Sequence, residues 1–503
     1  SDTTSLTPDL RQDSLLVYNV APDGRVYTNP DNTSRPYILW EDDEAFINGT
    51  YPVDPPTLGV ATFDGMDRTG YPYQPESPNQ NGVADHLTSV PINLQYDAGD
   101  SIYLSFLYQA RGLSGDNELQ EEDSLRLEFY APELHEWDSA WSTPYVPLAP
   151  FKNVLVPIKA NKYLKHGFRI RFSNKATLGG AVDQWHIDYV RIGRFRSYQD
   201  TVIQDVAWTY PANTLLSPYT SVPFNKFAAD PGHYMASSVP LAQKNIYNVD
   251  AFITWGYGTT SDCGQSITRS GYDSNISSNA NTGFTTDHPV NSGGQPWTYD
   301  LSGCSDAAFA TTKFWTHASP DAMKYNDTTA FTQELSNYYS YDDGSAEAGY
   351  WLNYQGGQIA YRFDTQGDDS LRAVRMYFDP IFSYGDVPND PRDGNFLITI
   401  WSDLNNQPIF QNVSFSTPDY RRWGPNHFVE YALDQTIHVA GSFYVGWTQT
   451  NAIKMNLGLD KNRVSNDRMY YNVGNGWVQS STQGSWMIRP VMVSAVAAVL
   501  MAA

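Results

Sequence analysis

Four carboxylates in succession in Trp40-Glu-Asp-Asp-Glu44, and three around a tight turn in Tyr341-Asp-Asp-Gly-Ser-Ala-Glu347, are the residues here whose types and spacing most invite chemistry. Like charges held this close repel, and the repulsion is relieved by water or by a divalent cation. A turn at Gly344 brings Asp342, Asp343 and Glu347 together and offers the oxygen-only ligands that Ca²⁺ takes. Extended backbone at 41–44 aims at most half of its acids at one point. The spacing is not that of an EF-hand, so an ion held there is structural. The competing reading of the second run is a polar turn leading into a strand.

Nucleophile and phosphate-loop signatures are missing. The chain has no His-Glu-x-x-His, no Gly-x-Ser-x-Gly, no Gly-rich loop with Lys and no Cys-x-x-Cys. Its nine histidines never fall at metal-ligand spacing within one short segment. Glycoside hydrolysis needs only two carboxylates about 5–10 Å apart, and 55 acidic residues keep that alternative open. Aromatic faces supply another chemistry, the stacking of sugar rings. Trp137, in Glu133-Leu-His-Glu-Trp-Asp-Ser-Ala-Trp141, and Trp477, in Asn475-Gly-Trp-Val478, have polar neighbours and are nominated as glycan contacts. Trp185, Trp401 and Trp447 lie inside alternating runs and read as core.

The elements that position these residues are strands. Ser101-Ile-Tyr-Leu-Ser-Phe-Leu-Tyr, Ser124-Leu-Arg-Leu-Glu-Phe-Tyr and His186-Ile-Asp-Tyr-Val-Arg-Ile alternate apolar and polar residues, separated by clusters of Gly, Pro, Asn and Asp. No amphipathic helical run is comparable. The expected fold is all-β: tandem β-sandwiches of jelly-roll or concanavalin-like and immunoglobulin-like type. Shifts in composition divide the chain of 503 residues into 1–198, a disulfide-bearing immunoglobulin-like unit at 199–335, a jelly-roll-like unit at 336–490 and an apolar tail at 491–503.

The balance of 32 basic against 55 acidic residues, net -23, repels phosphate backbones and argues against nucleic acid as a partner. With 41% hydrophobic and 14% aromatic residues the chain is neither disordered nor a coiled coil. Cys263 and Cys304 are its only cysteines. In an exported protein they pair, closing a loop of about 40 residues; otherwise they are two buried thiols. The tail, thirteen residues with one polar side chain, is too short for a membrane helix. It reads as a last core strand with a frayed end, as poorly determined residues, or as a strand donated to a neighbouring subunit.

Several runs resemble a known lineage. Phe46-Ile-Asn-Gly-Thr-Tyr-Pro-Val-Asp-Pro-Pro-Thr-Leu-Gly-Val-Ala-Thr-Phe-Asp-Gly65, Leu104-Ser-Phe-Leu-Tyr-Gln-Ala-Arg-Gly-Leu113, Asp123-Ser-Leu-Arg-Leu-Glu-Phe129 and Trp185-His-Ile-Asp-Tyr-Val190 are similar to the opening domain of large Bacteroidota surface proteins. Those proteins leave the cell by the type IX secretion system and are often described as gliding-motility or sorting-domain proteins. Tyr341-Asp-Asp-Gly-Ser-Ala-Glu-Ala-Gly-Tyr350, Phe396-Leu-Ile-Thr-Ile-Trp-Ser-Asp-Leu404, Phe443-Tyr-Val-Gly-Trp447 and Asn456-Leu-Gly-Leu-Asp460 are similar to a later domain of the same proteins. Members usually end in a sorting domain removed on export; none follows Pro490, as in a mature chain.

The resemblance implies a secreted or cell-surface location and the secretion machinery as a partner during export. In sandwiches of this class a calcium ion commonly bridges an early acidic segment and an acid of the last strand, which here draws on Asp42 or Asp43 with Asp188. The alternative is that Asp188 caps a turn by hydrogen bonds and the acidic run is solvated. The expected function is non-enzymatic, in adhesion or as a structural component of an extracellular assembly. The alternatives are a carbohydrate-binding surface protein, a filament subunit that polymerises by donating its C-terminal strand, and a glycoside hydrolase.

Overall fold

The computed structural model describes residues 14–17, 40–42, 44–114, 121–144, 146–278, 284–289, 298–324, 326–382, 390–420 and 424–493. The chain is all-β, as its alternating runs predict: antiparallel sheets, with two short α-helices, Phe224–Ala229 and Pro231–Tyr234, among the described residues.

In the first unit a six-stranded sheet runs Phe46–Asn48, Val60–Phe63, Trp185–Gly193, Tyr103–Ala110, Lys152–Pro157, with Ser14–Val17 also on Trp185–Gly193. It faces a five-stranded sheet of Asn81–Thr88, His166–Thr177, Ser124–Ala131 and Glu136–Pro144, with Ile92–Asn93 on His166–Thr177. Ser124–Ala131 buries Leu125, Leu127, Phe129 and Ala131 while the residues between them face outward, the period of two that one covered face demands. Phe106 of one sheet meets Phe172 of the other edge-on, ring centroids 4.9 Å apart.

Trp185–Gly193 departs from its alternation, because both of its faces are buried. Trp185, Ile187, Val190 and Ile192 enter the sandwich core. The other face, with His186 and Asp188, lies beneath the segment carrying Tyr51 and Thr57. A bulge between Asp188 and Arg191, with Tyr189 at φ 49°, turns the strand toward the second unit.

The second unit pairs a three-stranded sheet, Val206–Trp208, Ser238–Asn245, Phe284–Pro289, with a four-stranded one, Ser266–Ile276, Ala251–Ser261, Ala308–Ser319, Thr328–Leu335. Cys263 and Cys304 form a disulfide across 41 positions of sequence. The third unit combines Ala348–Tyr350, Leu457–Asp460 and Ser485–Trp486 with a seven-stranded sheet built on Gln358–Met376 and Val429–Gln449. Val491 and Met492 of the apolar tail belong to Ile488–Met492, which pairs with Gln358–Met376 of the same chain. The tail thus begins as a core strand, and 494–503 lie outside the described residues.

The units interlock. Apolar side chains from Val206 to Met492 form one contiguous core across the second and third units. There Tyr219 stacks on Tyr341 at 4.5 Å and Thr220 and Ser221 exchange backbone hydrogen bonds with Ser340. The first unit meets the third where the Phe382 amide donates to the Gly179 carbonyl at 2.7 Å. Gly180, φ +150°, permits this approach, since a Cβ there would come 2.7 Å from Ile381 Cα. It meets the second through Lys244, whose ammonium lies 2.8 Å from Asp54 Oδ1, and through the Tyr210 hydroxyl, which accepts the Asp54 amide at 2.9 Å.

Candidate functional site

The turn at Gly344 forms with φ +99°, but it does not gather its three acids at one point. Asp342 turns toward Ile488–Met492. There Arg489 Nη2 lies 2.5 Å from its Oδ1 and Arg489 Nε 3.2 Å from its Oδ2, with the Ser340 hydroxyl 2.8 Å from Oδ2. Arg489 therefore occupies the role expected of a cation, and Asp342 is corrected from an ion ligand to half of a buried ion pair.

Asp343 and Glu347 do converge. The Ser345 amide and hydroxyl donate to Asp343 Oδ1 at 2.9 and 2.6 Å, and the same hydroxyl lies 2.8 Å from Glu347 Oε1. A third acid joins them that sequence reasoning missed. Asp460 accepts the Asp343 amide at 2.7 Å on Oδ2 and the amides of Asn462 and Arg463 on Oδ1. Glu347 Oε2 accepts the Lys461 amide at 2.8 Å. Burial first, then the charge of Asp343, holds the carboxyls of Glu347 and Asp460 well above the usual range, and burial raises that of Asp343. The signal lay in Asn456-Leu-Gly-Leu-Asp460, where an acid ends a strand, but the loop that receives it is over a hundred positions away.

This cluster sits where all three units meet. Asn462 donates to the Thr50 carbonyl of the first unit at 3.3 Å, and Arg463 reaches Asn213 Oδ1 of the second at 2.9 Å and the Tyr341 carbonyl at 3.0 Å. Its acids organise two loops by accepting backbone amides, the satisfied form of a buried polar group.

A second acidic set lies between the first and third units. Asp85 accepts the Asp64 amide at 2.7 Å and the Tyr73 hydroxyl at 2.9 Å, and Asp64 accepts the Met66 amide at 2.7 Å. Burial, with the charge of Asp64 added, pushes Asp379 of the third unit up to about 8. Asp64 also lines a cleft with Glu44, Phe46, Asp67, Arg68 and Pro425. Glu44 is engaged by His86, whose amide donates to Oε2 at 2.8 Å.

The expected partnership of Asp42 with Asp188 does not form. Asp42 lies at the edge of the five-stranded sheet, accepting the Thr88 amide at 2.5 Å. Asp188 lies on the outer face of the six-stranded sheet, accepting the Thr57 hydroxyl at 2.9 Å and the Tyr189 amide at 2.7 Å. Each has its own protein donor, and the hydrogen-bonding alternative describes Asp188; Asp43 lies outside the described residues. Trp137 lies half-buried on the edge strand Glu136–Pro144, with the Arg171 guanidinium 4.2 Å above its ring and Tyr130 at 5.1 Å. Trp477 packs edge-on against Trp401 at 5.2 Å, far from Trp137 in sequence and on a different sheet.

These acids set a pH dependence. Burial raises Asp188 to about 7 and Asp379 to about 8, so the folded state holds protons that the unfolded state has released. Stability from such groups is present below the unfolded value near 4 and is lost as pH rises through 7 and 8. His186, lowered to about 3 by burial, acts oppositely, but only below about 6.5. Thermal melts in chelator should therefore show stability falling from about pH 6.5 to 8.5, by on the order of 1–2 kcal/mol per group. Asp379→Asn should flatten the slope, and an unchanged slope would contradict the assignment.

No family model and no curated protein matches the chain. Among solved structures, the glycoside hydrolase domain of Endo-D from Streptococcus pneumoniae R6 is similar at 10% identity over 65% of this chain and 42% of that one, TM-score 0.19. The β-glucuronidase of Bacteroides uniformis aligns at 6% identity over 57% and 31%, TM-score 0.19. Recombinant N-glycanase F aligns at 10% identity over 86% and 95%, TM-score 0.16. The chain thus spans less than half the length of the first two, and likenesses at these scores transfer neither fold nor activity.

Proposed function

We propose that this chain is a non-enzymatic surface protein exported by the type IX secretion system, and that it acts as one rigid body in adhesion or as a structural component of an extracellular assembly. The observation that supports this reading is the interlocking of the three units, each joined to both others by hydrogen bonds, with an ion pair between the first and the second. A body of this kind transmits load between a cell and what it holds. Asp460 and Glu347, buried where the units meet, serve backbone amides, and the disulfide suits an oxidising exterior.

The test combines two assays on the full chain. Beads coated with it should be retained on a surface of polysaccharide or of whole cells, and incubation with the same glycans should release no product. Glycan turnover that disappears on replacing Glu44 or Asp64 would sink the non-enzymatic reading. Export is tested separately: the gene product should reach the medium of a Bacteroidota host and be retained when the type IX machinery is disrupted.

A second reading, glycan capture, is favoured by Trp137 with Tyr130 and Arg171 on the outer side of the five-stranded sheet, an aromatic face flanked by a guanidinium. Trp137→Ala is expected to weaken retention on polysaccharide about 10-fold, while leaving the melting temperature within a degree or two, because the ring is partly exposed at a sheet edge. Retention unchanged by this substitution would remove Trp137 from the binding surface.

A further inference from the structure

A chain of net charge -23 carries one sheet face on which cations outnumber acids. Along Ser124–Ala131 the core takes Leu125, Leu127 and Phe129 and leaves Arg126, Glu128 and Tyr130 outward. The register then sets Arg169 opposite Tyr130, Arg171 opposite Glu128, Ser173 opposite Arg126 and Lys175 opposite Ser124. Directly opposed residues of an antiparallel pair share a face. Arg126, Arg169, Arg171 and Lys175 therefore stand together on the outer side of the five-stranded sheet.

Two of these cations are already paired, Arg171 with Glu128 at 2.8 Å and Arg169 with Glu41 at 2.5 Å. Arg126, exposed, and Lys175, half-buried, have no acid partner among the described residues. Ser173, opposite Arg126, is two positions before Lys175, so the two free cations lie in adjacent rows about 7 Å apart. Their outer neighbours, Ser142 beside Arg126 and Val83 beside Lys175, are exposed, which leaves this stretch of the sheet open to solvent.

Trp137 stands at the other end of the same face, opposite Tyr130. From Tyr130 to Arg126 the extended chain advances about 13 Å. The track has aromatic rings at one end, unpaired cations at the other, and the exposed hydroxyl residues Ser139 and Ser142 between them. Such a surface fits a short stretch of sugar chain that carries negative charge. Sugar rings stack on aromatic faces, and a guanidinium matches a carboxylate with two parallel hydrogen bonds.

We infer that the outer side of the five-stranded sheet holds an acidic polysaccharide, a polyuronate, with its rings against Trp137 and Tyr130 and its carboxylates on Arg126 and Lys175. The inference rests on the glycan-capture reading and adds the substrate class to it. The acidity of the whole chain does not oppose it, because charges are screened over about 8 Å at physiological salt, less than the length of the track. The two free cations set the sign of the field at this face, while the acidic remainder of the surface repels the polymer and confines it there.

The probes are polygalacturonate, a neutral glucan and polyglutamate, each immobilised and presented to the full chain. Retention should be strongest on polygalacturonate and weakest on polyglutamate, which offers the charge without the ring. Replacing Arg126→Ala together with Lys175→Ala should weaken retention on polygalacturonate by about 10-fold or more and leave the neutral glucan unaffected. Both side chains point outward, so the melting temperature should hold. Added salt should weaken binding to polygalacturonate and spare the neutral glucan. Polyglutamate held as tightly as polygalacturonate would overturn the inference, reducing the face to a bare charge effect. If Trp137→Ala weakens both sugars while the double variant changes neither, glycan capture stands and the acidic substrate class fails. If Trp137→Ala changes neither sugar, the glycan-capture reading fails and the inference with it.

Discussion

Arg489→Leu is expected to cost about 3–5 kcal/mol of stability, because it strips the counter-charge from a carboxylate that has no exposed surface. The Asp342 side chain is 0% exposed and would keep only the Ser340 hydroxyl as a side-chain donor. The guanidinium also lies 3.8 Å over the ring of Phe428, and that cation–π contact is lost too, adding up to about 1 kcal/mol. Urea unfolding of the single variants and of Arg489→Leu with Asp342→Leu closes a double-mutant cycle. The double variant should recover most of the loss, since an apolar pair in place of a buried ion pair is near neutral. If Arg489→Leu unfolds with the wild-type chain, Asp342 has another counter-charge and the assignment fails.

The second large effect is expected at the disulfide. Cys263→Ser with Cys304→Ser releases a loop spanning 41 positions, which the chain-entropy model values at about 4 kcal/mol. The cross-link ties the turn after Ala251–Ser261 to the segment before Ala308–Ser319, two neighbouring strands of the four-stranded sheet. Because the second unit shares its core with the third, the loss should appear in the melting of both together, as a fall on the order of 8 °C. A reductant should reproduce the fall in the wild-type chain and do nothing to the double serine variant. Identical melts with and without reductant would show that the bond contributes no stability.

The all-β class, the pairing of the two cysteines and the turn at Gly344 were legible in the sequence, because each follows from local pattern or from having only one partner to choose. The fate of the acids was not. Asp342, Asp343 and Glu347 look equivalent in a run of seven residues, yet one faces an arginine 147 positions away and the others face Asp460 across 117 and 113 positions. Local spacing carries no information about such partners. The double burial of Trp185–Gly193 was equally invisible, since its polar residues His186 and Asp188 imply a wet face that the Thr57 segment covers.

The single core that runs from Val206 to Met492 bears on how such chains can be inherited. A recombination event that cut near residue 335 would bare Leu335 on one fragment and Tyr339 and Tyr341 on the other, all buried against shared neighbours in the intact chain. The exposed strand edges and apolar faces would invite aggregation before either piece found a partner. The first unit has a core of its own, whereas the second and third share theirs and must travel through evolution as one gene segment.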